Sequence, residues 1–135
     1  ISAKFMGGDG VCSEQMPVLA GEGLIDDVVL CSEPGGVEDA QKKVMEDFRT
    51  AFRKKYNGNV QIYAPYAYDA TWLMITAMQK AGSADPAKYL PVMAASKYQG
   101  VTGLIEFDAK GDVKNSALTL YTFRNKQRVQ LAVVR

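Results

Sequence analysis

The sequence predicts an α/β fold in which short strands near the start alternate with helices and further strands close the chain. Three patterns indicate this. Two short apolar runs flank a helix signal within the first 31 residues. Apolar residues recur every three or four positions over 37–56, and they alternate over 129–133. The first and last patterns are typical of strands, and the middle one is typical of an amphipathic helix.

Size and charge limit what the chain can be. The 135 residues suffice for a modest core. A formal net charge of +1 provides no strong attraction to nucleic acid or to anionic membranes. No apolar run approaches the length of a membrane span. Because Ile1 is not an initiator methionine, we expect the chain to be a processed product or a fragment.

Histidine is absent and there are two cysteines. The chain therefore lacks the commonest general base and the commonest metal ligand. Cys12 and Cys31 do not have the spacing of a zinc site. We expect no metal, no cofactor and no enzymatic activity.

The first strand, predicted over 3–6, leads into a glycine-rich turn over 7–10 whose one charged side chain is Asp9. Such turns lie at the carboxyl ends of strands in open parallel sheets, where ligands usually bind. The alternative is that Asp9 or Ser13 caps the following helix. The residues alone leave both interpretations open.

A helix over 13–20 and a strand over 28–31 complete a strand–helix–strand unit, which places the carboxyl ends of both strands at one edge. Cys12 and Cys31 then lie at that edge. A disulfide between them would close a loop of roughly 20 residues and stabilise the fold by about 3 kcal/mol in the chain-entropy model. We therefore favour a disulfide and an oxidising compartment.

The stretch 32–36 predicts a turn, linker or hinge, since Pro34 and the pair Gly35 and Gly36 interrupt helix and strand alike. The amphipathic helix over 37–56 follows and ends in basic residues. That basic end suits the helix dipole, so a solvated helix end is favoured over a phosphate site.

A second long helix, over 64–81 with Gly82 as its C-cap, is apolar on nearly all sides, which predicts burial on most sides. Tyrosines near its start pack against the core or line a pocket, and the residues do not decide between the two. These tyrosines are Tyr63, Tyr66 and Tyr68. A third helix is predicted over 86–97, with Asp85 as its cap.

The carboxyl-terminal part changes character to strands. They are predicted over 101–107, 118–123 and 129–133, with a tight glycine turn over 108–111.

Four features in order and spacing resemble the branched-chain amino-acid binding proteins of bacterial ABC importers. The features are the run 5–10, the helix start 68–70, the pair of segments 100–103 and 106–108, and the turn 110–112. The resemblance covers the carboxyl-terminal part of such a protein. It implies a type I periplasmic-binding-protein fold, in which two Rossmann-like α/β lobes are joined by three crossovers and hold the ligand between them.

Carried onto this chain, the resemblance assigns residues 1–32 to the second lobe, 33–117 to the first lobe, and 118–135 to the strands that finish the second lobe. The implied hinge lies at two of the crossovers. Its residues are Pro34, Gly35, Gly36 and Leu118.

In this family an acidic residue of the glycine-rich turn accepts the α-ammonium group of the ligand. Asp9 occupies that place, with Gly8 and Gly10 beside it. With the resemblance in view, ligand contact becomes the favoured role for Asp9. The ligand's carboxylate and side chain are held, in the family, by segments upstream of Ile1. We therefore expect this chain to carry part of a site, to bind weakly alone, and to self-associate, with swapped elements as one form.

The leading hypothesis is a periplasmic binding protein that delivers an aliphatic amino acid to a membrane permease by lobe closure. The alternative is a ligand-sensing domain of the same fold in a regulator. A flavodoxin-like enzyme is disfavoured, because the sequence offers no phosphate loop and no nucleophile beside a base.

Overall fold

The computed structural model describes residues 3–35 and 39–134. The chain forms two compact units, unit 1 from the segments Ile1–Gly36 and Asn115–Arg135, and unit 2 from Val37–Lys114. The assignment of residues 1–32, 33–117 and 118–135 to two lobes stays a prediction.

The described residues form six strands, four α-helices and two 3-10 turns, and in chain order three successive helices are followed by four successive strands. They are β1 (Phe5–Gly7), a 3-10 turn (Asp9–Cys12), α1 (Met16–Ala20), a second 3-10 turn (Gly21–Gly23), β2 (Val29–Pro34), α2 (Asp39–Tyr56), α3 (Ala64–Ala81), α4 (Pro86–Ala94), β3 (Lys97–Gly100), β4 (Gly103–Glu106), β5 (Leu118–Arg124) and β6 (Gln127–Val134).

Unit 1 is a four-stranded sheet with the strand order β1-β2-β5-β6. β1 runs parallel to β2, as the strand–helix–strand pattern predicts, whereas β5 and β6 form an antiparallel hairpin beside β2. The core consists of Cys12, Leu24, Cys31 and Phe123. The first strand was expected to be buried, but the side chains of Phe5 and Met6 are exposed. Within the described part of the chain, β1 has a neighbour only on the β2 side, which explains that exposure.

Two predicted boundaries in unit 1 are wrong. The helix expected over 13–20 is shorter, because residues 14 and 15 form a turn, in which the N–H of Gln15 donates to the hydroxyl oxygen of Ser13, and α1 begins at Met16. The strand expected to close at residue 31 continues to Pro34, since Glu33 pairs with Thr119 and Pro34 with Leu118 on β5. Pro34 lies at the last pair of the ladder, where its missing N–H costs little.

Unit 2 contains α2, α3, α4 and the β3–β4 hairpin. The predicted helix over 37–56 is confirmed as α2, with residues 37 and 38 outside the described part. α3 ends at Gly82, whose φ of 60° supplies the left-handed stop that a glycine provides at low cost. None of the helices within residues 3–35 and 39–134 is both long and apolar enough to cross a membrane.

The region after α3 differs from the expectation. α4 ends at Ala94, and residues 97–100, which were expected in or after this helix, form β3. The strand expected over 101–107 begins later, at Gly103, because residues 101 and 102 form the turn of the hairpin.

That hairpin turn is held by Asp69, a side chain of α3 that is 1% exposed. Its carboxylate accepts hydrogen bonds from the backbone N–H groups of Val101 and Thr102, at 2.9 and 2.7 Å, and from the hydroxyl of Thr102. Gly100 lies directly against the carboxylate, where a Cβ atom would collide with it. A contact across 32 residues of sequence therefore decides where β3 ends and β4 begins.

α3 is not buried on most sides, contrary to the expectation. Its buried residues lie on the face toward α4 and the hairpin, and they are Pro65, Asp69, Leu73 and Ala77. Trp72 remains 44% exposed and Ile75 37%. An apolar helix surface can be buried, but it is buried only where another element packs against it.

A glycine-rich turn at the edge of the unit 1 sheet

The turn over 7–10 follows the carboxyl end of β1, whereas β2, which runs parallel to it, continues beyond that point to Pro34. Gly7 pairs with Cys31 in the parallel ladder, so the turn leaves the sheet toward the carboxyl ends of both strands. The N–H of Val11 donates to the carbonyl oxygen of Gly8 at 3.1 Å and closes the 3-10 turn. This is the edge at which open α/β sheets bind ligands.

The glycines of this turn have different structural roles. A Cβ at Gly7 would collide with the side chain of Val11, so close packing requires glycine there. A Cβ at Gly8 or Gly10 would meet nothing within 4 Å. Neither is among the described glycines with positive φ. The fold of this chain does not require glycine at these two positions, which leave open space on either side of Asp9.

Asp9 is half-buried in that turn. Its Oδ1 accepts a hydrogen bond from the N–H of Gly10 at 3.0 Å. Among residues 3–35 and 39–134 its carboxylate has no ion-pair partner within 4.0 Å. The N-cap of the 3-10 turn is Gly8, and no side-chain hydrogen bond caps the turn. Asp9 is the first residue of the turn and does not act as its cap. Ser13 does not cap α1 either, since the N-cap of that helix is Gln15 without a side-chain cap hydrogen bond. The hydroxyl oxygen of Ser13 accepts from the N–H of Gln15 at 3.0 Å, within the turn that precedes the helix.

Cys12 and Cys31 form a disulfide, with Cα atoms 5.4 Å apart and both side chains fully buried. This is the pairing that the sequence favoured. The bond ties the end of the 3-10 turn to the third residue of β2. Asp9 is therefore three residues from a covalent cross-link to the sheet.

A second tether involves residues that the sequence analysis missed. Nη1 of Arg128, on β6, donates to the carbonyl oxygen of Cys12 at 2.9 Å and also to Oε1 of Glu33 on β2. The guanidinium carbon lies 4.6 Å from the centre of the Tyr121 ring. Glu33 was assigned to a connector, although it follows Cys31 by two positions and so shares its face once the strand continues. That spacing was the available signal.

The predicted hinge residues Pro34, Gly35 and Leu118 lie around the carboxyl end of β2, where β5 begins beside it. Pro34 pairs with Leu118, and the N–H of Gly35 donates to the carbonyl oxygen of Ala117 at 2.7 Å. The hydroxyl of Thr119 donates to the carbonyl oxygen of Gly35. The two chain segments that leave the sheet here thus run side by side. Gly36 lies outside the described residues, and the hinge itself stays a prediction.

The described residues contain no group of three His, Cys, Asp or Glu side chains placed to hold a metal ion. The edge thus offers a single carboxylate, open space beside it and two tethers that hold its turn. Such an arrangement can accept hydrogen bonds from a cationic group of a ligand.

Comparison with known proteins shows the family of the chain. A family model described as periplasmic binding protein matches residues 4–128. The leucine-, isoleucine-, valine-, threonine- and alanine-binding protein of Pseudomonas aeruginosa PAO1 is 33% identical over 122 residues, which are 90% of this chain and 31% of that protein. The chain thus spans about a third of the length of the curated relatives it matches.

Two solved structures share the fold. A leucine binding protein LivK from Thermotoga maritima superposes with a TM-score of 0.77 at 21% identity, over 99% of this chain and 38% of that one. The branched-chain amino acid transporter substrate binding protein LivJ from Streptococcus pneumoniae, in complex with isoleucine, gives 0.70 at 23% identity, over 96% and 36%. The type I fold that the resemblance implies is confirmed over the part that the chain spans. The chain belongs to the periplasmic binding protein family.

Proposed function

We propose that this chain is the carboxyl-terminal part of a periplasmic solute-binding protein for a branched-chain or similar aliphatic L-amino acid. The complete protein delivers that amino acid to the membrane permease of an ABC importer. The family match and the amino acids that the relatives bind support this proposal. Delivery involves binding and release, and no covalent chemistry.

The observation that carries the proposal is the environment of Asp9. Its carboxylate is half-buried, accepts a hydrogen bond from the N–H of Gly10, and lies between two glycines that the fold does not require. An α-ammonium group placed there would form charge-assisted hydrogen bonds with the carboxylate. Gly8 and Gly10 would let the ligand approach the backbone without obstruction.

Ligand capture would couple to closure about the predicted hinge, Pro34, Gly35, Gly36 and Leu118. The paired segments at Gly35 and Ala117 allow both connections to bend at one place. A ligand that contacts both walls favours the closed state by its differential affinity for that state. The walls that hold the ligand's carboxylate and side chain lie outside this chain, so the chain alone should bind weakly.

The test is calorimetric titration of the complete receptor that contains this segment. Asp9→Asn should weaken L-leucine binding by about 10–100-fold, since a hydrogen bond to a charged group contributes about 1.5–3 kcal/mol. Glu14→Gln, which removes another carboxylate near the turn, serves as the matched control and should leave affinity unchanged. Valine, isoleucine, threonine and alanine then rank the preferred side chain.

A second ligand separates the ammonium contact from general damage to the site. N-acetyl-L-leucine lacks the ammonium charge, so it should bind the wild-type receptor far more weakly than L-leucine. In the Asp9→Asn receptor that difference should shrink. An undiminished preference for L-leucine in this variant would remove Asp9 from the ligand site.

A further inference from the structure

We propose that Arg128 is a positioning residue, which together with Glu33 holds the glycine-rich turn 7–10 so that Asp9 faces the ligand. The ligand role of Asp9 rests on the proposed function. The holding of the turn does not, and it can be measured without any ligand.

The contacts show how Arg128 reaches the turn. Its Nη1 donates both to Oε1 of Glu33 and, at 2.9 Å, to the carbonyl oxygen of Cys12. Cys12 is the last residue of the 3-10 turn that begins at Asp9. Carbonyl groups at the end of a helical turn have no partner within the turn, so an outside donor fixes the direction of that peptide. Arg128 is that donor.

Burial makes this arrangement selective for arginine. The side chain of Glu33 is 11% exposed and that of Arg128 29%. A largely buried carboxylate needs a cationic partner. The guanidinium also stacks on the Tyr121 ring. A lysine ammonium carries the charge, but it lacks the planar guanidinium that lies over the Tyr121 ring while its Nη1 serves both the carboxylate and the carbonyl.

The disulfide does not make Arg128 redundant. The Cys12–Cys31 bond fixes the position of the Cys12 side chain against β2. The hydrogen bond from Arg128 acts on the backbone carbonyl of the same residue. One tether thus sets where the turn is attached, and the other sets how its last peptide is oriented. The orientation of the Cys12 peptide reaches Asp9 through the rest of the turn, which is closed by the hydrogen bond from the N–H of Val11 to the carbonyl oxygen of Gly8.

The ligand-free test is NMR relaxation on the 135-residue chain, with Arg128→Lys compared with Arg124→Lys. Arg124 is the matched control because its Nε donates to both carboxylate oxygens of Asp27, at 2.9 and 3.0 Å, and not to the turn 7–10. Arg128→Lys should lower the order parameters of the amides at residues 8–11 from about 0.85 to below about 0.6. Arg124→Lys should leave them unchanged.

A merely structural role would lower the melting temperature in both variants without selectively mobilising the turn. If the folded Arg128→Lys chain keeps rigid amides at residues 8–11, the proposal is wrong. A wild-type measurement covers the case in which this variant does not fold. The Nη–H signals of Arg128 should be resolved by restricted rotation, whereas those of the exposed Arg49 should average. Averaged signals from Arg128 would also overturn the proposal.

Leucine binding by the complete receptor then tests whether the position of the turn affects the affinity. Arg128→Lys should weaken L-leucine binding about 3–10-fold, and it should add little once Asp9→Asn is present, since residues that act through one another are non-additive. If the amides at residues 8–11 become mobile while the leucine affinity is unchanged, Arg128 still positions the turn, but the ligand role of Asp9 is refuted. Additive losses would refute the action of Arg128 through Asp9.

Discussion

The two units bury different kinds of residue in their cores, and they differ in how completely each core is covered. Unit 1 buries a disulfide together with Leu24 and Phe123, and its sheet supplies the surrounding contacts. Unit 2 is organised around the buried carboxylate of Asp69, with Leu73 and Ala77 beside it. One unit relies on a covalent and apolar core, whereas the other relies on a charged group that is fully hydrogen-bonded.

The helices of unit 2 also keep apolar surface exposed. From Gln41 to Tyr56, no side chain of α2 is buried. Its aromatic residues form a row with those of α3, with ring centres 4.8–6.3 Å apart. The row is Phe48, Phe52, Tyr56, Tyr68 and Trp72. The aromatic contact between Tyr68 and Phe48 favours packing over a pocket as the role of that tyrosine.

The largest expected effect follows from the charged core of unit 2. Asp69→Ala leaves the buried N–H groups of Val101 and Thr102 unpaired, so the free energy of unfolding should fall by about 3–5 kcal/mol. Urea unfolding followed by the fluorescence of Trp72, the one tryptophan, reports on unit 2. Asp85→Ala, which removes the exposed cap on the N–H of Ala87, should cost only about 1 kcal/mol. Equal losses in the two variants would contradict the special role of Asp69.

The next effect tests the covalent core of unit 1. The double variant Cys12→Ala and Cys31→Ala should lower the stability of unit 1 by about 3 kcal/mol, because the disulfide closes a loop between residues 19 apart. Hydrogen exchange of β2 and β5 amides measures this loss, while the Trp72 transition monitors unit 2. A loss of equal size in both units would show that their cores are not independent.

A smaller effect concerns the self-association expected of the chain alone, which we propose involves the exposed residues of α3. Replacing Trp72 and Ile75 by lysine should weaken association roughly tenfold, equivalent to about 1.4 kcal/mol. Sedimentation velocity over a concentration series measures it. The matched control replaces Val18 and Leu19, which are exposed apolar residues of unit 1. Weakening by the control alone would locate the contact in unit 1.

The smallest effect is a pH dependence within unit 2. The N–H groups of Lys110 and Asp112 donate to Oδ1 of Asp108, at 2.8 and 3.0 Å, and these bonds lower the pKa of its carboxyl group. Because that pKa is lower in the folded chain, the stabilisation is complete above the unfolded pKa. It is lost as the pH falls through the folded value. Amide chemical shifts at residues 110 and 112 should follow this titration, and Asp108→Asn should abolish the change.

Local chemistry predicted those parts of the fold whose partners are close in sequence. The stop at Gly82 and the cap at Asp85 follow from single residues and are confirmed. The position of the Asp9 turn follows from the parallel pairing of two strands joined by one short helix. These features need little more than backbone preferences and strand order.

The rest depended on partners far along the chain. β3 carries no apolar alternation, and its end is set by Asp69 on α3. Glu33 and Arg128 are 95 residues apart, so no local pattern pairs them. The exposure of Trp72 was not predictable, because hydrophobicity does not reveal whether a neighbouring surface is present in the chain.

The unequal glycines of the turn provide a steric tool. A methyl group at Gly7 would strike Val11 and disturb folding, whereas a methyl group at Gly8 or Gly10 would project into unoccupied volume. Alanine at Gly8 or Gly10 would therefore reduce the open space beside Asp9 without disturbing the fold. A series of progressively larger side chains at these two positions would show how large a ligand can bind beside Asp9.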